Sequence, residues 1–313
     1  MPAGHTRDIA HEISSLIIER IEAGVPPWRR PWDVTGASGR PLRAKGEAYT
    51  GINSIYLWAV ADACGYRSRF WMTKKQAQAL GGNILPKEAP ALSVFFSSGT
   101  KREQTSLYGD TSARTFRFMR SYLVYNCDQI EDLPDHYYPD PLRESEPTPS
   151  EHQTAIDAFF KPIPIDVRHG GNEAYYSPGG DYVQMPHKRS FHSSDHYVAT
   201  LAHEMSHATG ASHRLARKFG KRFGDKAYFA EELVAELSAS AISAQLGLPS
   251  ELHASHASYI DGWLALMKAD KTAIITASAQ AERAYRWLSA HSAKTTQAQT
   301  AEVAHAASLP AHS

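Results

Sequence analysis

The chain has 313 residues, of which 42% are hydrophobic, and its formal net charge is zero. This length predicts two domains, and the hydrophobic content is sufficient for ordinary globular cores. The two cysteines, Cys64 and Cys127, form no CxxC pair, which excludes a disulfide framework and a thiolate metal site and favours the cytoplasm. Charges within the apolar N-terminal pattern argue against a signal peptide, and no run of about 18 apolar residues predicts a membrane span.

The charges are distributed unevenly along the chain. Residues 1–125 contain 17 Lys and Arg against 10 Asp and Glu, a net charge of +7, and the remainder contains 16 against 23, a net charge of −7. Solvated faces can produce such an offset by chance. It also indicates that the first half meets an anionic partner.

Hydrophobic periodicity and turn residues predict the elements of the first half. Gly24 and the prolines after it end the first helix, and Thr73 is the N-cap of the third helix, which ends at Gly81-Gly82. The polar span between the two strands predicts a hairpin loop. The predicted elements are helices at 6–23, at 52–63 and from Thr73, and strands at 92–96 and 121–125.

The sequence of the second half predicts a mainly helical structure. Residues 135–151 contain four prolines and little hydrophobic content, which is typical of a linker. The tail at 290–313 lacks periodicity and is predicted to be disordered. The predicted elements are strands at 163–167 and 182–185, and helices at 151–160, 194–209, 228–246, 251–268 and 270–289.

His203, Glu204 and His207 form an HExxH motif within the helix predicted at 194–209. Positions i and i+4 of a helix share a face, so both imidazoles can reach one metal ion. Glu204 is placed to act as the base that takes a proton from a water polarised by Zn²⁺. A surface helix with two histidines would show the same five residues, but the amphipathic pattern around the motif favours the metal site.

A catalytic zinc site needs a third protein ligand, and two candidates remain open. Glu232 lies on the next predicted helix, as in gluzincins, and Glu236 one turn later is placed to orient a ligand histidine. His213 completes the metzincin pattern HExxHxxGxxH. We favour Glu232, because no separate Met-turn accompanies the second pattern.

Aromatic and basic residues alternate in the first half, which suits a single strand whose bases stack on rings and whose phosphates meet cations. Buried anchoring of a Gly- and Pro-rich segment is the competing interpretation for each tryptophan. The residues assigned to DNA binding on this basis are Trp28, Arg29, Arg30, Trp32, Arg43, Lys45, Tyr49, Trp71, Lys74 and Lys75.

Over residues 8–289 the sequence resembles the ArdC-type antirestriction proteins of plasmids, whose N-terminal part also occurs in TraC-type plasmid primases. The matching pieces are PWRRPW at 27–32, YTGIN at 49–53, WMTKKQ at 71–76, HEMSHATG at 203–210 and AEELVAE at 230–236. The resemblance implies an N-terminal domain that binds single-stranded DNA, with Asn53 added to the DNA-binding set, and a C-terminal zincin-like metallopeptidase domain.

We therefore expect an α+β protein with a small mixed DNA-binding domain at 1–135, a linker at 136–150, a mainly helical zincin-like domain at 151–289 and a tail at 290–313. The expected cofactor is one Zn²⁺ per chain, which another divalent metal could replace, and the expected partner is single-stranded DNA. Protection of incoming plasmid DNA from restriction is implied by the resemblance alone. The alternatives are a DNA-targeted protease that acts on a DNA-bound or host protein, and a strand-binding protein with a structural metal.

Overall fold

The structure, a computed structural model, describes residues 8–28, 39–102, 113–138, 148–218, 225–248 and 257–307. It has the α+β architecture that the sequence predicts. The helices are α1 (Ile9–Glu22), α2 (Ile52–Cys64), α3 (Lys74–Ala79), α4 (Pro149–Phe160), α5 (Ser194–Ala208), α6 (Lys226–Leu246), α7 (Ala257–Ala269) and α8 (Ala273–Ala307). The strands are β1 (Leu42–Arg43), β2 (Phe70–Met72), β3 (Asn83–Ile84), β4 (Ala91–Arg102), β5 (Ala113–Asn126), β6 (Ile130–Glu131), β7 (Asp166–His169), β8 (Tyr175–Ser177) and β9 (Tyr182–Met185).

Polar side chains set the starts of several helices. The Thr73 and Thr148 side chains each accept a hydrogen bond from the backbone of the first turn and complete a capping box, at α3 and α4 respectively. Ser193 begins α5 and Asp225 begins α6 in the same way, by accepting from the backbone nitrogens three residues later. These local signals are why most predicted helix starts agree with the structure to within a few residues.

The N-terminal sheet has the strand order β1-β2-β5-β4. Strands β4 and β5 pair in antiparallel fashion from Ala91–Val124 to Arg102–Ala113. Much of the span predicted as a hairpin loop is therefore strand. The Asn53 side-chain amide bonds both the N–H and the C=O of Val94, at 2.7 and 2.8 Å, and so closes part of the β4 edge.

The C-terminal half places a three-stranded sheet of order β7-β9-β8 beside α5. Apolar residues of α4, the sheet, α5, α6 and α8 form one buried cluster, which includes Phe159, Val183, Leu201 and Ile242. Helices α5 and α6 pack against each other. Their contact positions the candidate metal centre.

A second apolar cluster joins the two halves of the chain. It contains α1 and α2 residues such as Ile17 and Leu57 together with Leu237 of α6 and Trp263 of α7. The rings of Trp28 and Trp263 meet edge to face, with centroids 6.0 Å apart. The N-terminal and zincin-like parts therefore share an apolar interface and are not separately packed units joined only by a linker.

Polar contacts reinforce this interface. The buried Arg40 guanidinium lies 2.5 Å from Glu282 Oε2 on α8, and the same carboxylate accepts from the Gly51 N–H at 3.1 Å. Ser14 Oγ donates to the Lys271 carbonyl at 2.6 Å. Of the predicted linker, residues 139–147 lie outside the described residues.

Helix α8 continues to Ala307, whereas the sequence predicted a disordered tail from residue 290. The reason is that Ala, Gln and Glu have high intrinsic helix propensity even where no apolar periodicity is present. In the part of the chain that the structure describes, no helix has both the length and the apolar character needed to cross a membrane.

Candidate metal centre

Helix α5 presents the two motif histidines to α6. His203 and His207 are one turn apart, and their Nε2 atoms approach to 3.1 Å. Helix α6 supplies Glu232, whose Oε2 lies 3.5 Å from His203 Nε2 and whose Oε1 lies 3.6 Å from His207 Nε2. The three residues are buried, and their candidate ligand atoms lie within 4.8 Å of one another.

The donor set suits a divalent cation such as Zn²⁺. Tetrahedral zinc with bonds of about 2.0–2.1 Å places its ligand atoms roughly 3.3 Å apart, and the spacings of 3.1, 3.5 and 3.6 Å lie close to that value. Two imidazoles and one carboxylate are also the protein ligands of one class of catalytic zinc site. The three residues therefore fit the group that the sequence predicts.

The outer nitrogen of each histidine faces a carboxylate. Glu231 Oε1 lies 3.3 Å from His207 Nδ1, and Glu236 Oε2 lies 3.8 Å from His203 Nδ1. A carboxylate at Nδ1 keeps a proton on that nitrogen and leaves Nε2 to face the metal. Glu236 lies beside a ligand histidine, where the sequence predicts it to act as an orienting residue, whereas the sequence analysis assigned Glu231 no role.

Arg217 holds Glu231 in place. Its guanidinium makes paired contacts with the Glu231 carboxylate, at 2.7 Å from Nη2 and 3.0 Å from Nε. It also donates to Thr209 Oγ1 and to the Ser206 carbonyl, both at 2.7 Å. The loop after α5 is thereby fixed to the first turns of α6.

The carboxylates determine the protonation of the two imidazoles. Burial lowers the pKa of His203 and His207, but the carboxylates of Glu232, Glu236 and Glu231, which accept from the protonated rings, outweigh burial and raise both pKa values. Burial raises the pKa of Glu232, and the two imidazoles more than offset this, so that its pKa is lowered.

Two tyrosine hydroxyls lie at the same centre. Tyr228 at the start of α6 and Tyr259 on α7 approach to 3.1 Å through their oxygens. Burial, the hydrogen bond to Tyr259 and the charge of Glu232 raise the pKa of Tyr228. Burial and the charges of Glu232 and Glu204 raise the pKa of Tyr259 despite its bond to Tyr228. Both hydroxyls are therefore protonated donors at neutral pH, next to the carboxylates of the motif.

His213 lies away from this cluster. It is exposed, and its Nε2 is 3.2 Å from Asp181 Oδ2. The Asp181 carboxylate also accepts hydrogen bonds from both Nη atoms of Arg214. Nη1 of Arg214 donates in addition to the Ala208 carbonyl at the end of α5. The geometry thus favours Glu232 over His213 as the third donor.

Where the structure describes them, the residues predicted to bind DNA are not brought together on one surface. Four are buried: Trp28 against Trp263, Trp71 in contact with Tyr66, Tyr49 beneath Arg43, and Asn53 on the β4 edge. Base stacking on these rings would require opening of the core, because large aromatic side chains make much of their contribution as packed core residues. For Trp28 and Trp71 the anchoring interpretation agrees with their burial.

The remaining predicted residues fall into three groups. Lys45, Lys74 and Lys75 are exposed. Arg43 lies 4.4 Å above the Tyr49 ring and donates to Tyr122 Oη at 3.0 Å. The predicted residues Arg29, Arg30 and Trp32 lie outside the described residues.

Two family models match the chain. Residues 7–125 match the N-terminal domain of anti-restriction factor ArdC, and residues 154–280 match a zincin-like metallopeptidase. Protein y4eC of Sinorhizobium fredii is 38% identical over 289 residues, with coverage of 90% of this chain and 92% of that protein. A DNA primase TraC of Escherichia coli is 33% identical over 310 residues, which cover 94% of this chain and only 28% of the primase.

Two solved structures are similar over almost their whole length. The metal-free crystal structure of the antirestriction protein ArdC from plasmid R388 is 36% identical, with a TM-score of 0.77, and the alignment covers 92% of this chain and 99% of that one. The Mn(II)-bound structure of the same protein gives a TM-score of 0.74 with the same coverage and identity. The chain therefore belongs to the ArdC antirestriction family, with an ArdC-type N-terminal domain and a zincin-like metallopeptidase domain.

Proposed function

We propose that the zincin-like domain is a metal-dependent peptidase that holds one Zn²⁺ through His203, His207 and Glu232. The observation that carries this proposal is the convergence of the two Nε2 atoms and the Glu232 carboxylate in a buried site. The Mn(II)-bound structure of the R388 protein supports a divalent cation at the centre. Imidazole nitrogens favour Zn²⁺ over Mn²⁺ as the resident ion.

The surrounding residues have distinct roles in this reaction. A bound Zn²⁺ supplies Lewis acidity, which makes a water acidic near neutral pH. The Glu204 carboxylate would take a proton from a water as the water oxygen adds to the carbonyl carbon, and would deliver that proton to the amine that leaves when the peptide bond breaks. One hydroxyl of the Tyr228 and Tyr259 pair donates to the other, and the second donates a hydrogen bond to the negative charge that develops on the carbonyl oxygen.

A peptidase assay on the full chain tests this function. The wild type and Glu204→Gln are each measured for metal content and for cleavage of a peptide library, and exposed Glu173 supplies the matched control Glu173→Gln. Glu204→Gln should keep the metal and lose cleavage, while the control retains both. Absence of cleavage by the metal-loaded wild type, with and without single-stranded DNA, would reduce the centre to a structural role.

We also propose that the N-terminal domain binds single-stranded DNA and covers an incoming strand against restriction. Two observations support this: the +7 net charge of residues 1–125 and the similarity to proteins named DNA primase. If coverage alone protects, plasmid entry into a restricting host should be the same with Glu204→Gln as with the wild type. A variant that binds DNA normally but fails to protect would favour cleavage of a host or DNA-bound protein.

A further inference from the structure

Burial of the predicted tryptophans leaves open which rings a DNA strand would contact. Base stacking needs an accessible aromatic face beside cations that meet the phosphates. Among the described residues before 139, the exposed large hydrophobic side chains are Leu80, Phe95, Phe96 and Leu123. Three of these four lie on the ribbon formed by β4 and β5, which points to that ribbon as a contact surface.

Phe95 and Phe96 lie on opposite faces of the ribbon, because successive strand residues alternate in direction. Phe95 is 42% exposed and pairs across the ladder with Arg120, and its ring centroid is 6.1 Å from that of Tyr122. The Tyr122 hydroxyl accepts from Arg43. We call the set Phe95, Arg120, Tyr122 and Arg43 the Phe95 face.

The opposite face presents a second exposed ring. Phe96 is 57% exposed and pairs with Met119. Its neighbours on this face among residues with described side chains are Val94, Ser121 and Leu123, none of which is charged. Among the residues with described side chains, each face therefore presents one exposed phenylalanine ring, and a charged residue pairs across the ladder only with Phe95.

All the charged residues in the two strands of the ribbon are basic. Strands β4 and β5 contain two Lys and Arg residues in ALSVFFSSGTKR and three Arg residues in ARTFRFMRSYLVYN, with no Asp or Glu in either strand. An apolar patch on a basic ribbon is complementary to a polyanion whose bases are unpaired. The basic ribbon does not favour an uncharged partner without acidic groups, such as a second apolar ribbon.

We propose that the Phe95 face binds single-stranded DNA, with a base stacked on Phe95 and the phosphates facing Arg120. This inference rests on the proposed strand binding and adds its location. Arg43 and Tyr122 position the surface through their hydrogen bond, and Tyr49 supports Arg43 from below.

Fluorescence anisotropy of a labelled 20-nucleotide oligo-dT with the full-length protein tests the proposal. Phe95→Leu keeps apolar bulk and removes the ring, so it should weaken binding roughly 5- to 150-fold, and Phe95→Trp should restore it. Phe96→Leu is the matched control on the opposite face and should stay within about twofold of the wild type. Arg120→Ala should reduce the salt slope by about 0.7, the value expected for one lost phosphate contact on a single strand.

The possible outcomes distinguish failure of the Phe95 face as the binding site from failure of single-stranded DNA binding itself. If the wild type binds and Phe95→Leu binds equally well, or if both Leu variants lose affinity to the same extent, the Phe95 face is overturned while strand binding stands. If the wild type does not bind the oligonucleotide, strand binding itself fails, and the location fails with it. Thermal melting of each variant identifies a loss of affinity that comes from unfolding.

Discussion

Glu231 Oε1 lies 3.3 Å from His207 Nδ1, and this contact fixes which nitrogen of the ring faces Glu232. Arg217 holds the same carboxylate through a paired contact. The orientation of a ligand on α5 thus depends on a carboxylate of α6 and on a cation from the loop between the helices. Such outer contacts commonly contribute as much to a metal site as the choice of ligand does.

Loss of the Glu231 charge should weaken metal binding without removing a ligand. Glu231→Gln preserves the size and an acceptor oxygen but lowers the basicity of His207, so we expect the metal affinity to fall about 10- to 100-fold. Competition with a chromophoric chelator measures this affinity. The control Glu173→Gln, at an exposed position, should match the wild type, and an unchanged affinity in Glu231→Gln would remove the orienting role.

Metal binding should release protons, because the carboxylates raise the pKa of both His203 and His207 in the metal-free chain. Each imidazole must have an unprotonated Nε2 before it can act as a ligand, so metal binding near neutral pH should release protons from the pair. Calorimetric titration in buffers of different ionisation enthalpy measures the number. Affinity should rise with pH through the neutral range, and pH-independent affinity would contradict the protonation described here.

The raised pKa values of His203 and His207 also affect the stability of the metal-free chain. A histidine whose pKa is raised on folding contributes stability that is complete below its unfolded value and is lost as the pH rises through the folded value. The metal-free chain should therefore melt at a lower temperature as the pH rises above neutrality, whereas the metal-loaded chain should not show this trend.

Tyr228→Phe should affect turnover more than metal content. If the hydroxyl stabilises the developing charge on the substrate, its removal should lower kcat by about 10²–10³ with little change in KM. The exposed Tyr175 offers a matched control, and Tyr175→Phe should leave both constants unchanged. A rise in KM at constant kcat would instead assign Tyr228 to substrate binding.

Trp263→Ala should destabilise the whole chain, since Trp263 joins α7 to the core that contains α1 and Trp28. The removal of a fully buried tryptophan costs about 3–5 kcal/mol. We expect one cooperative unfolding transition that moves to lower denaturant concentration, whereas Tyr175→Ala at the surface moves it little. Two separate transitions, with only one of them shifted, would show that the domains fold independently despite their shared cluster.

Local patterns in the sequence predicted most helices and the HExxH geometry, since caps and i, i+4 spacing are properties of short segments. The preference for Glu232 also came from a local pattern, the run AEELVAE on an apolar helix. The roles of Glu231 and Arg217 could not be predicted, because three carboxylates within six residues look alike until the packing of α6 on α5 decides which face each one meets. Glu231 is distinguished only by the loop that brings Arg217 to it.

For the aromatic residues of the N-terminal half, local sequence could not separate a DNA-stacking role from a buried one. A tryptophan next to arginines has the same composition in a stacking surface as in the anchor of a Gly- and Pro-rich segment. Burial separates the two, and it depends on α7, a helix more than two hundred residues away from Trp28. Phe95 and Phe96 carried no distinguishing sequence signal, because an apolar run in a strand usually marks core.

Metal content after dialysis against a weak chelator tests the central claim most directly, because it ranks the candidate ligands in one experiment. The wild type and His213→Ala should each retain about one zinc per chain, while His203→Ala, His207→Ala and Glu232→Ala should lose it. Full occupancy in Glu232→Ala together with loss in His213→Ala would contradict the assignment of the centre to α5 and α6.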